Sequence, residues 1–322
     1  MDVIHYPDDP RPTWRSPVLA LGNFDGLHRG HVKIIERIQR GAGERGGTSV
    51  VLTFDPHPPR IVRPDKAPQL LMTKAQKLDA LARAGVQGVA VVRFTREMSQ
   101  WEPETFVRNV LVEWLRVAEV WVGADFLFGR DRSGNFTLLR SLGAQYGFRA
   151  EKIDPIRYKD FVVSSTRIRR LVSEGRVDEA GALLGHHYAI EGTVVEGHKR
   201  GREIGFPTAN LSTDNEMIPP NGVYATAITI DGEVHPSVTN IGQRPTFGDH
   251  LATTIETHVM STSAFPATVD KGKSIDLYGM RIRLAFVQRL RDERKFPDIE
   301  ALQEQISADV RRAARLFDRL SV

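Results

Sequence analysis

The chain has 322 residues, of which 41% are hydrophobic and 26% charged, and its mean hydropathy is −0.29. This composition is typical of a folded globular protein and excludes a mostly disordered chain. The 44 basic and 40 acidic side chains leave a formal charge of +4, a mild excess that suits phosphate-rich ligands without indicating nucleic-acid binding.

Residue usage excludes further classes of protein. The sequence contains no cysteine, which excludes disulfides, thiolate metal sites and a cysteine nucleophile. No apolar stretch approaches the ~20 residues that a membrane-spanning helix needs. The segment 1–9 is acidic and contains a proline, unlike a signal peptide. We therefore expect a cytoplasmic protein of about two domains that binds no membrane.

The first half of the chain alternates short apolar runs with segments of helical periodicity. Strands are predicted at 18–21, 49–54, 89–92 and 117–122, and helices at 31–40, 73–84, 103–115 and 137–146. The predicted helix 73–84 places Leu78, Leu81 and Ala82 on one face. Continuously apolar strands that each precede a helix indicate a parallel sheet covered on both faces, with ligands bound beyond the carboxyl ends of the strands.

Glycines and two histidines follow the first predicted strand and open the first predicted helix. They form the run Gly22-Asn23-Phe24-Asp25-Gly26-Leu27-His28-Arg29-Gly30-His31. The N–H groups at a helix N-terminus favour phosphate, and His28 and His31 share a helical face from which both imidazoles can donate to a triphosphate. An isolated pair with this spacing is more often two surface histidines or half of a metal site. The surrounding glycines favour a nucleotide site instead.

The pattern changes near Gly185, where we place the boundary between domains 1–185 and 186–322. Strand-like runs at 189–195, 223–230 and 281–287, with Asp231-Gly232 as a hairpin turn, predict a small antiparallel barrel. A helix from about 299 to 320 closes the chain. Nothing in the sequence indicates an oligomeric state.

A second glycine- and cation-rich run begins the second half. It reads Gly197-His198-Lys199-Arg200-Gly201-Arg202-Glu203-Ile204-Gly205-Phe206-Pro207-Thr208-Ala209-Asn210-Leu211. The run is not a Walker A loop, yet its composition suits a phosphate. Thr208 and Asn210 flank Ala209, so on extended backbone they point the same way and offer two oxygen ligands that suit Mg²⁺. Taken alone, the glycine- and arginine-containing part of the run favours a basic surface loop before a strand that starts at a proline.

Both runs resemble motifs of one family, the bacterial bifunctional riboflavin kinase/FAD synthetases. The first run resembles the HxGH-type motif of the family's nucleotidyltransferase half, and 205–210 resembles its riboflavin kinase signature. Val163 stands where the family has isoleucine. Further resemblances follow in chain order at 53–58, 122–129, 164–169, 220–225, 239–246, 255–258, 277–279, 290–296 and 302–306. The ordered set extends roughly from residue 16 to residue 316.

The resemblance implies two successive reactions: riboflavin and ATP give FMN and ADP, and FMN and ATP give FAD and pyrophosphate. It implies an α/β fold, with a nucleotidyltransferase-type Rossmann-like parallel sheet (the FAD synthetase half) followed by a riboflavin-kinase-type antiparallel barrel and a terminal helix. Mg²⁺ with ATP is the implied cofactor, and no nucleic acid is involved. His28 and His31 would stabilise charge during adenylyl transfer. Glu256 would be the general base of the kinase.

The resemblance also implies binding residues. Those for ATP are Gly22, Phe24, Asp25, Gly30, Ser165, Thr166, Arg167 and Arg169 in the first half, and Gly197, Lys199, Gly201 and Arg202 in the second. Those for the flavin are Asp55, Asp125, Phe126, Phe128, Asn240 and Arg244, and those for the metal are Thr208 and Asn210. Taken singly, a Ser-Thr-Arg stretch is more often a helix cap, a loop phenylalanine more often core, and a strand glutamate more often solvent-facing.

Two other classes stay open at this point. A flavin- or nucleotide-binding regulator without catalysis is disfavoured by the intact His28, His31 and Glu256. An RNA-binding protein is disfavoured by the mild charge and the absence of a basic run. The segment 261–274 is polar and longer than the family's usual link, which predicts a surface loop insertion or a lid beside Glu256.

Overall fold

The computed structural model describes residues 1–197, 204–245, 251–260 and 277–320, except the side chains of 244, 245, 251, 252 and 320. The chain forms two compact units, Met1–Ser165 and Thr166–Val322, here called the N-terminal and C-terminal units. The domain boundary predicted near residue 185 lies after two helices that group with the C-terminal unit, and it stays a prediction. The predicted insertion at 261–274 lies outside the described residues.

The N-terminal unit is built on a parallel sheet. Its strands are β1 (Asp2–Tyr6), β2 (Val18–Leu21), β3 (Ser49–Asp55), β4 (Gly88–Arg93), β5 (Glu119–Gly123), β6 (Leu127–Phe128), β7 (Gly134–Asn135), β8 (Arg149–Ile153), β9 (Arg157–Tyr158) and β10 (Phe161–Val162). Six of them pair in the order β1-β4-β3-β2-β5-β8, and every pairing is parallel. The predicted parallel sheet is therefore confirmed.

Helices cover both faces of this sheet. They are α1 (Arg29–Arg45), α2 (Pro58–Val62), α3 (Lys74–Arg83), α4 (Pro103–Phe106), which continues as a π-helix over Val107–Trp114, and α5 (Phe136–Tyr146). One apolar cluster joins Ile34, Ile35 and Ile38 of α1 to Leu81 of α3, and a second joins the π-helix to Leu139 of α5. Burial on both faces explains why the inner strands are continuously apolar.

The buried face of α3 differs from the predicted one. Leu81 is buried as expected, but Ala82 is exposed and Leu78 only partly buried. Gln76 and Lys77 are buried in their place. The periodicity of apolar residues missed this face because both of its additional members are polar.

The predicted nucleotide motif follows the strand at which the order of strand addition reverses from one side of the sheet to the other. After β2 the chain adds β3 and then β4 on one side, and afterwards adds β5 and β8 on the other. Crevices at such a switch point, beyond the carboxyl ends of the strands, are where open α/β sheets bind ligands. The run 22–31 leaves the carboxyl end of β2, the strand at this point.

The C-terminal unit contains a closed antiparallel barrel. Its elements are α6 (Ser165–Ser173), which begins at the last residue of the N-terminal unit, α7 (Val177–Leu184), β11 (Tyr188–Val195), β12 (Ala209–Thr213), β13 (Gly222–Ile230), β14 (Glu233–Pro245), β15 (Leu251–Val259), β16 (Arg281–Arg291) and α8 (Ile299–Leu320). The strands close in the order β11-β12-β15-β14-β13-β16. The predicted barrel and terminal helix are confirmed.

Two details of the barrel bear on the sequence predictions. Asp231 and Gly232 join β13 to β14 with φ of 49° and 87°, the left-handed backbone of a tight hairpin turn, as predicted. The stretch from Thr239 to Pro245, part of one of the family resemblances, is the second half of β14 and is paired residue by residue with β15. Thr246 lies outside the described residues.

The two faces of the barrel wall differ in chemistry. The interior holds a chain of buried hydroxyls: Thr226 Oγ1 lies 2.7 Å from Ser237 Oγ and 2.7 Å from Thr239 Oγ1, which lies 2.7 Å from Thr257 Oγ1. On the outer face, Val223 joins an apolar cluster with residues of α8. The alternation of strand side chains therefore assigns every second residue of β13, β14 and β15 to the outer, α8-facing side.

Candidate active sites in the two units

A strained turn connects β2 to α1. Phe24, Gly26 and Leu27 have φ of 49°, 87° and 40°, and Phe24 is 1% exposed. A Cβ at Gly22 would lie 3.3 Å from the Phe24 ring. Left-handed backbone at non-glycine residues is costly and clusters at functional sites. The turn is thus compact, and it delivers the N-terminus of α1 directly beyond the strand.

His28 and His31 meet at that N-terminus. His28 is the N-cap residue, and its Nδ1 accepts a hydrogen bond from the His31 backbone N–H at 3.3 Å. The two imidazoles are stacked, with centroids 3.7 Å apart and an interplanar angle of 12°. Because Nδ1 accepts, the proton of a neutral His28 ring is on Nε2, and Nε2 is its donor. A Cβ at Gly30 would lie 3.1 Å from His28 Cε1, so glycine leaves room for the ring.

Asp25 binds protein groups in this structure. Its carboxylate is 1% exposed and accepts backbone N–H bonds from Leu71, at 3.0 and 3.1 Å, and from Met72, at 3.3 Å. Its carbonyl accepts a 2.9 Å bond from Ser165 Oγ. Asp25 therefore attaches the turn to the segment before α3, and Ser165 is brought to the same turn. The predicted ATP contacts of both residues stay predictions.

Lys77 of α3 is a further member of this site that the sequence analysis missed. Its Nζ donates to the Asn23 carbonyl at 2.8 Å and lies 3.4 Å from Thr53 Oγ1, which itself donates to the Asn23 carbonyl at 3.1 Å. Burial lowers the pKa of Lys77, and the nearby Asp25 and Asp55 carboxylates oppose that shift. Within the sequence, only the helical position of Lys77 next to an apolar face hinted at this placement.

The predicted flavin residues of this unit lie at or after the ends of β3 and β5, the strands on either side of β2. Asp55 ends β3, is half-exposed and forms an ion pair with Lys74 at 2.9 Å. Asp125 follows β5 and is exposed. Phe126 and Phe128 stack with centroids 5.2 Å apart, but Phe128 belongs to the buried core while Phe126 is partly buried against it. Of the two rings, Phe126 is therefore the better placed to border a ligand.

The remaining predicted ATP residues of the first motif set begin α6. Ser165 belongs to the N-terminal unit, whereas Thr166, Arg167 and Arg169 group with the C-terminal unit. The first turn of α6 contains no acidic residue, so its positive dipole end is not offset there.

In the C-terminal unit, three predicted residues form one row across the outer face of the barrel. Asn210 of β12 pairs with Glu256 of β15, and Glu256 pairs with Asn240 of β14. Directly opposed residues in antiparallel strands have Cβ atoms about 4.5–5.5 Å apart. The row therefore places an amide, a carboxylate and a second amide side by side. Asn240 in turn pairs with Val223, which is covered by α8.

Gly197 and the segment before β12 complete this row. A Cβ at Gly197 would lie 2.1 Å from Asn210 Nδ2, so the backbone there passes directly over the Asn210 amide. The His258 ring contacts Phe206 edge-on at 5.5 Å, and its Nδ1 donates to the Pro207 carbonyl at 2.9 Å. His258, for which no role was predicted, thus fixes the backbone that leads to Thr208.

Two groups at the α8 side extend the row. Arg291 donates from Nε to both carboxylate oxygens of Asp309, at 2.9 and 3.2 Å, and so holds α8 to the barrel. The Glu293 carboxylate lies over Gly242, where an added Cβ would be 2.5 Å from Oε1, and it accepts from Asn221 Nδ2 at 3.2 Å. Glu293 is a site neighbour that the predicted residue set did not include.

Of the predicted ATP residues, Lys199, Gly201 and Arg202 lie outside the described residues, as does the side chain of the predicted flavin residue Arg244. Among the described residues, no group of three or more His, Asp or Glu side chains is arranged to hold a metal ion. The described helices include none that is long and apolar enough to span a bilayer.

Comparisons with known proteins match two different family models to two successive parts of the chain. A family model described as FAD synthetase matches residues 11–167, and one described as riboflavin kinase matches 184–317. Proteins named bifunctional riboflavin kinase/FMN adenylyltransferase are similar over most of their length. The Pseudomonas fluorescens protein is 36% identical, covering 95% of this chain and 94% of its own. The Bacillus subtilis protein is 35% identical, covering 94% and 93%.

A solved structure with the same overall fold is that of a Streptococcus pneumoniae protein described as a macrolide-efflux protein. It superimposes with a TM-score of 0.84 at 26% identity and covers 98% of this chain and 99% of its own. Together, the two family models and the full-length relatives account for both units.

Proposed function

The chain belongs to the family of bifunctional riboflavin kinase/FMN adenylyltransferases, and from that premise we propose which residues carry each of its two reactions. Its substrates are riboflavin, FMN and ATP. The riboflavin kinase half transfers the γ-phosphoryl group of ATP to riboflavin. The FAD synthetase half transfers AMP from a second ATP to FMN and releases pyrophosphate. Each half contains its own constellation of polar side chains, and this observation carries the assignment.

We assign adenylyl transfer to the run that opens α1. The FMN phosphate is already a competent nucleophile, so the protein needs to align it with the α-phosphorus and stabilise the developing charge. His28 is suited to donate from Nε2, because its Nδ1 is occupied by the His31 N–H. The N-terminus of α1 adds backbone N–H donors. Its first turn contains no acidic side chain that would repel a phosphate. Arg167 and Arg169 are assigned to the triphosphate.

We assign phosphoryl transfer to the row Asn210–Glu256–Asn240. The 5′-hydroxyl of riboflavin must lose its proton as it attacks the γ-phosphorus, and Glu256 is the carboxylate in the row that can accept it. Asn240, directly opposite Glu256, is assigned to orient the flavin. Gly197 leaves space for the Asn210 amide, so the backbone and the amide approach the phosphates from one side.

Enzymes that transfer phosphoryl or adenylyl groups from ATP generally use a divalent metal, and we propose that Mg²⁺ serves here. The donor set fits, because Thr208, directly before β12, and Asn210 of β12 supply a hydroxyl and an amide oxygen, the hard oxygen ligands that Mg²⁺ prefers. A bound Mg²⁺ would offset the charge of the ATP phosphates. The cytoplasmic location expected from the sequence stays a prediction.

The test is a product analysis with the intact chain. Purified protein is incubated with riboflavin, ATP and MgCl₂, and the flavins are separated by chromatography over time. The expected result is FMN first and FAD afterwards. FMN without FAD would contradict the assignment of the N-terminal unit. Flavin binding without either product would instead favour a regulator that has lost catalysis.

A further inference from the structure

Lys77 is a buried cation that neither half-reaction uses directly. It is 9% exposed and lies in the middle of α3, a helix with no predicted role in the site. Its ammonium donates to a backbone carbonyl, that of Asn23, at 2.8 Å. A buried charge is costly unless it is bound by hydrogen-bond partners. A buried lysine at such a position therefore needs a functional explanation.

The partner of Lys77 is the backbone of the turn that precedes His28. The Asn23 carbonyl receives two bonds, from Lys77 Nζ and from Thr53 Oγ1 at the end of β3. Residues on either side of the turn's centre have left-handed φ values, which persist only when the surroundings hold them. The orientation of this one carbonyl thus bears on the backbone conformation of the whole turn.

A second attachment joins the same turn to the same helix. The Asp25 carboxylate accepts from the N–H groups of Leu71 and Met72, directly before Thr73, the N-cap residue of α3. Thr73 and Gln76 form a capping box, with bonds of 2.8 and 3.2 Å between side chain and backbone. The start of α3 is therefore rigid, and Lys77 extends from it to the turn about one helical turn later.

We propose that Lys77 is a positioning residue for adenylyl transfer, which fixes the Asn23 carbonyl and through it the turn that aims the His28 imidazole. The proposal rests on the function assigned to the N-terminal unit. Lys77 does not touch substrate in this role; its contribution is the placement of a donor that does. Displacement of a reacting group by about 1 Å can cost roughly 100-fold in rate.

The charged groups around Lys77 agree with this role. Two carboxylates face it, Asp25 of the turn and Asp55 at the end of β3, and Lys74 lies one turn earlier on its own helix. Lys74 forms an ion pair with Asp55 at 2.9 Å. Burial nevertheless lowers the pKa of Lys77 below the usual lysine value. The ammonium form should thus be lost at a lower pH than that of an exposed lysine.

The first experiment compares Lys77→Met with Arg83→Met, both in the full-length chain. Arg83 lies on the same helix but is exposed, and among the described residues its ion-pair partner is Asp79, one turn away. We expect Lys77→Met to lower kcat for FAD formation from supplied FMN by roughly 10- to 100-fold, with little change in KM. Arg83→Met should leave it unchanged. The riboflavin kinase activity of each variant should equal that of the wild type.

The second experiment tests whether an amine at this position is what the rate of FAD formation requires. In Lys77→Ala, added propylamine should restore part of the FAD synthetase rate, and should not do so in Arg83→Ala.

The outcomes distinguish a wrong function for the N-terminal unit from a wrong role for Lys77. If the wild type forms no FAD from FMN, the function assigned to the N-terminal unit is wrong. If the wild type forms FAD and Lys77→Met does so at the same kcat, only the positioning role is wrong. If Lys77→Met loses its near-ultraviolet circular dichroism, the amine rescue decides, and a propylamine effect in Lys77→Ala no greater than in Arg83→Ala would overturn the role.

Discussion

His28 caps α1, and we propose a chemical function for the same side chain. Its Nδ1 caps α1 by accepting the His31 N–H, and this same bond leaves Nε2 as the donor nitrogen. Loss of activity in an alanine variant would therefore be ambiguous, because the helix cap would be lost together with the imidazole. A substitution that keeps one function and removes the other resolves the ambiguity.

Asparagine is that substitution, because it is among the best N-cap residues. We expect His28→Asn to unfold at nearly the wild-type temperature and to lose FAD formation by at least roughly 100-fold, whereas His28→Ala should also lose about 1 kcal/mol of stability. FMN formation should be unchanged in both. Flavin chromatography and thermal unfolding measure the two effects; full FAD synthesis by His28→Asn would remove the imidazole from the mechanism.

Gly197 offers a matching test in the other unit. A methyl group there would overlap the Asn210 amide, with Cβ 2.1 Å from Nδ2, so Gly197→Ala must displace that amide. We expect at least a tenfold loss of riboflavin kinase activity and no loss of FAD formation from supplied FMN. Gly43→Ala, where an added Cβ meets nothing within 4 Å, is the control and should keep both rates. Equal kinase rates in the two variants would contradict the metal-ligand role of Asn210.

Residues that are expected to contact substrate are easier to identify from the sequence than the residues that hold those residues in place. The glycines and histidines of 22–31 form a contiguous motif, which can be recognised in the sequence. The contact of Asp25 with Leu71 spans 46 positions, and that of Lys77 with Asn23 spans 54. A lysine also counts as polar in any periodicity, so its burial in α3 gives no signal until the turn and the helix are seen together.

At the scale of elements, the sequence analysis missed the two edge strands of the parallel sheet. The inner strands β2, β3 and β4 are apolar without interruption and were predicted. Strands β1 and β8 form the two edges of the sheet and contain exposed and charged residues, such as Asp2 and Arg149. An edge strand has one paired side only, so neither a continuous run nor a clean alternation is required of it. Strand β15 is paired on both sides and lacks a clean apolar pattern for another reason: its Thr257 faces the polar part of the barrel interior.

The hairpin between β13 and β14 permits a prediction about stability alone. Gly232 has φ of 87°, where a Cβ is strained, and an added methyl group there would meet no other atom within 4 Å. Gly232→Ala should therefore destabilise the C-terminal unit by about 1 kcal/mol through the backbone. Asp231→Asn, which creates the preferred Asn-Gly turn, should be neutral or slightly stabilising. Urea unfolding measures both, and altered activity in either would mean that the hairpin contacts substrate.

His187, between α7 and β11, should make the C-terminal unit sensitive to acid. Burial lowers its pKa below the usual value, and the neighbouring His186 and Arg283 add to the shift. The unfolded chain then binds more protons than the folded one, so stability falls as pH decreases below about 6.5 and levels off below the folded pKa. The unfolding temperature of His187→Gln should depend less on pH over this window. An identical slope in variant and wild type would assign the effect to another group.

At the scale of the whole molecule, the two reactions are assigned to two separate sets of residues. FMN made by the kinase is the substrate of the synthetase, and nothing in the chemistry requires both steps to occur on one chain. We therefore expect a mixture of His28→Asn and Asn210→Ala chains to convert riboflavin to FAD, although neither variant does so alone. The measurement is chromatography of the mixture over time. Accumulation of FMN without FAD would mean that the intermediate is not exchanged between chains.

The buried hydroxyls inside the barrel limit which amino-acid substitutions this sequence can accept one at a time. Thr226, Ser237, Thr239 and Thr257 satisfy one another, and Ser237 also donates to the Thr226 carbonyl at 2.9 Å. Replacing one of them by an apolar residue leaves a buried partner without its bond, at a cost of about 1–3 kcal/mol, whereas exchanging bonded partners together for apolar residues of the same shape is nearly neutral. Substitutions at these four positions are thus epistatic. The interior of the barrel can change its chemistry in concerted steps, and single steps toward the same end are selected against.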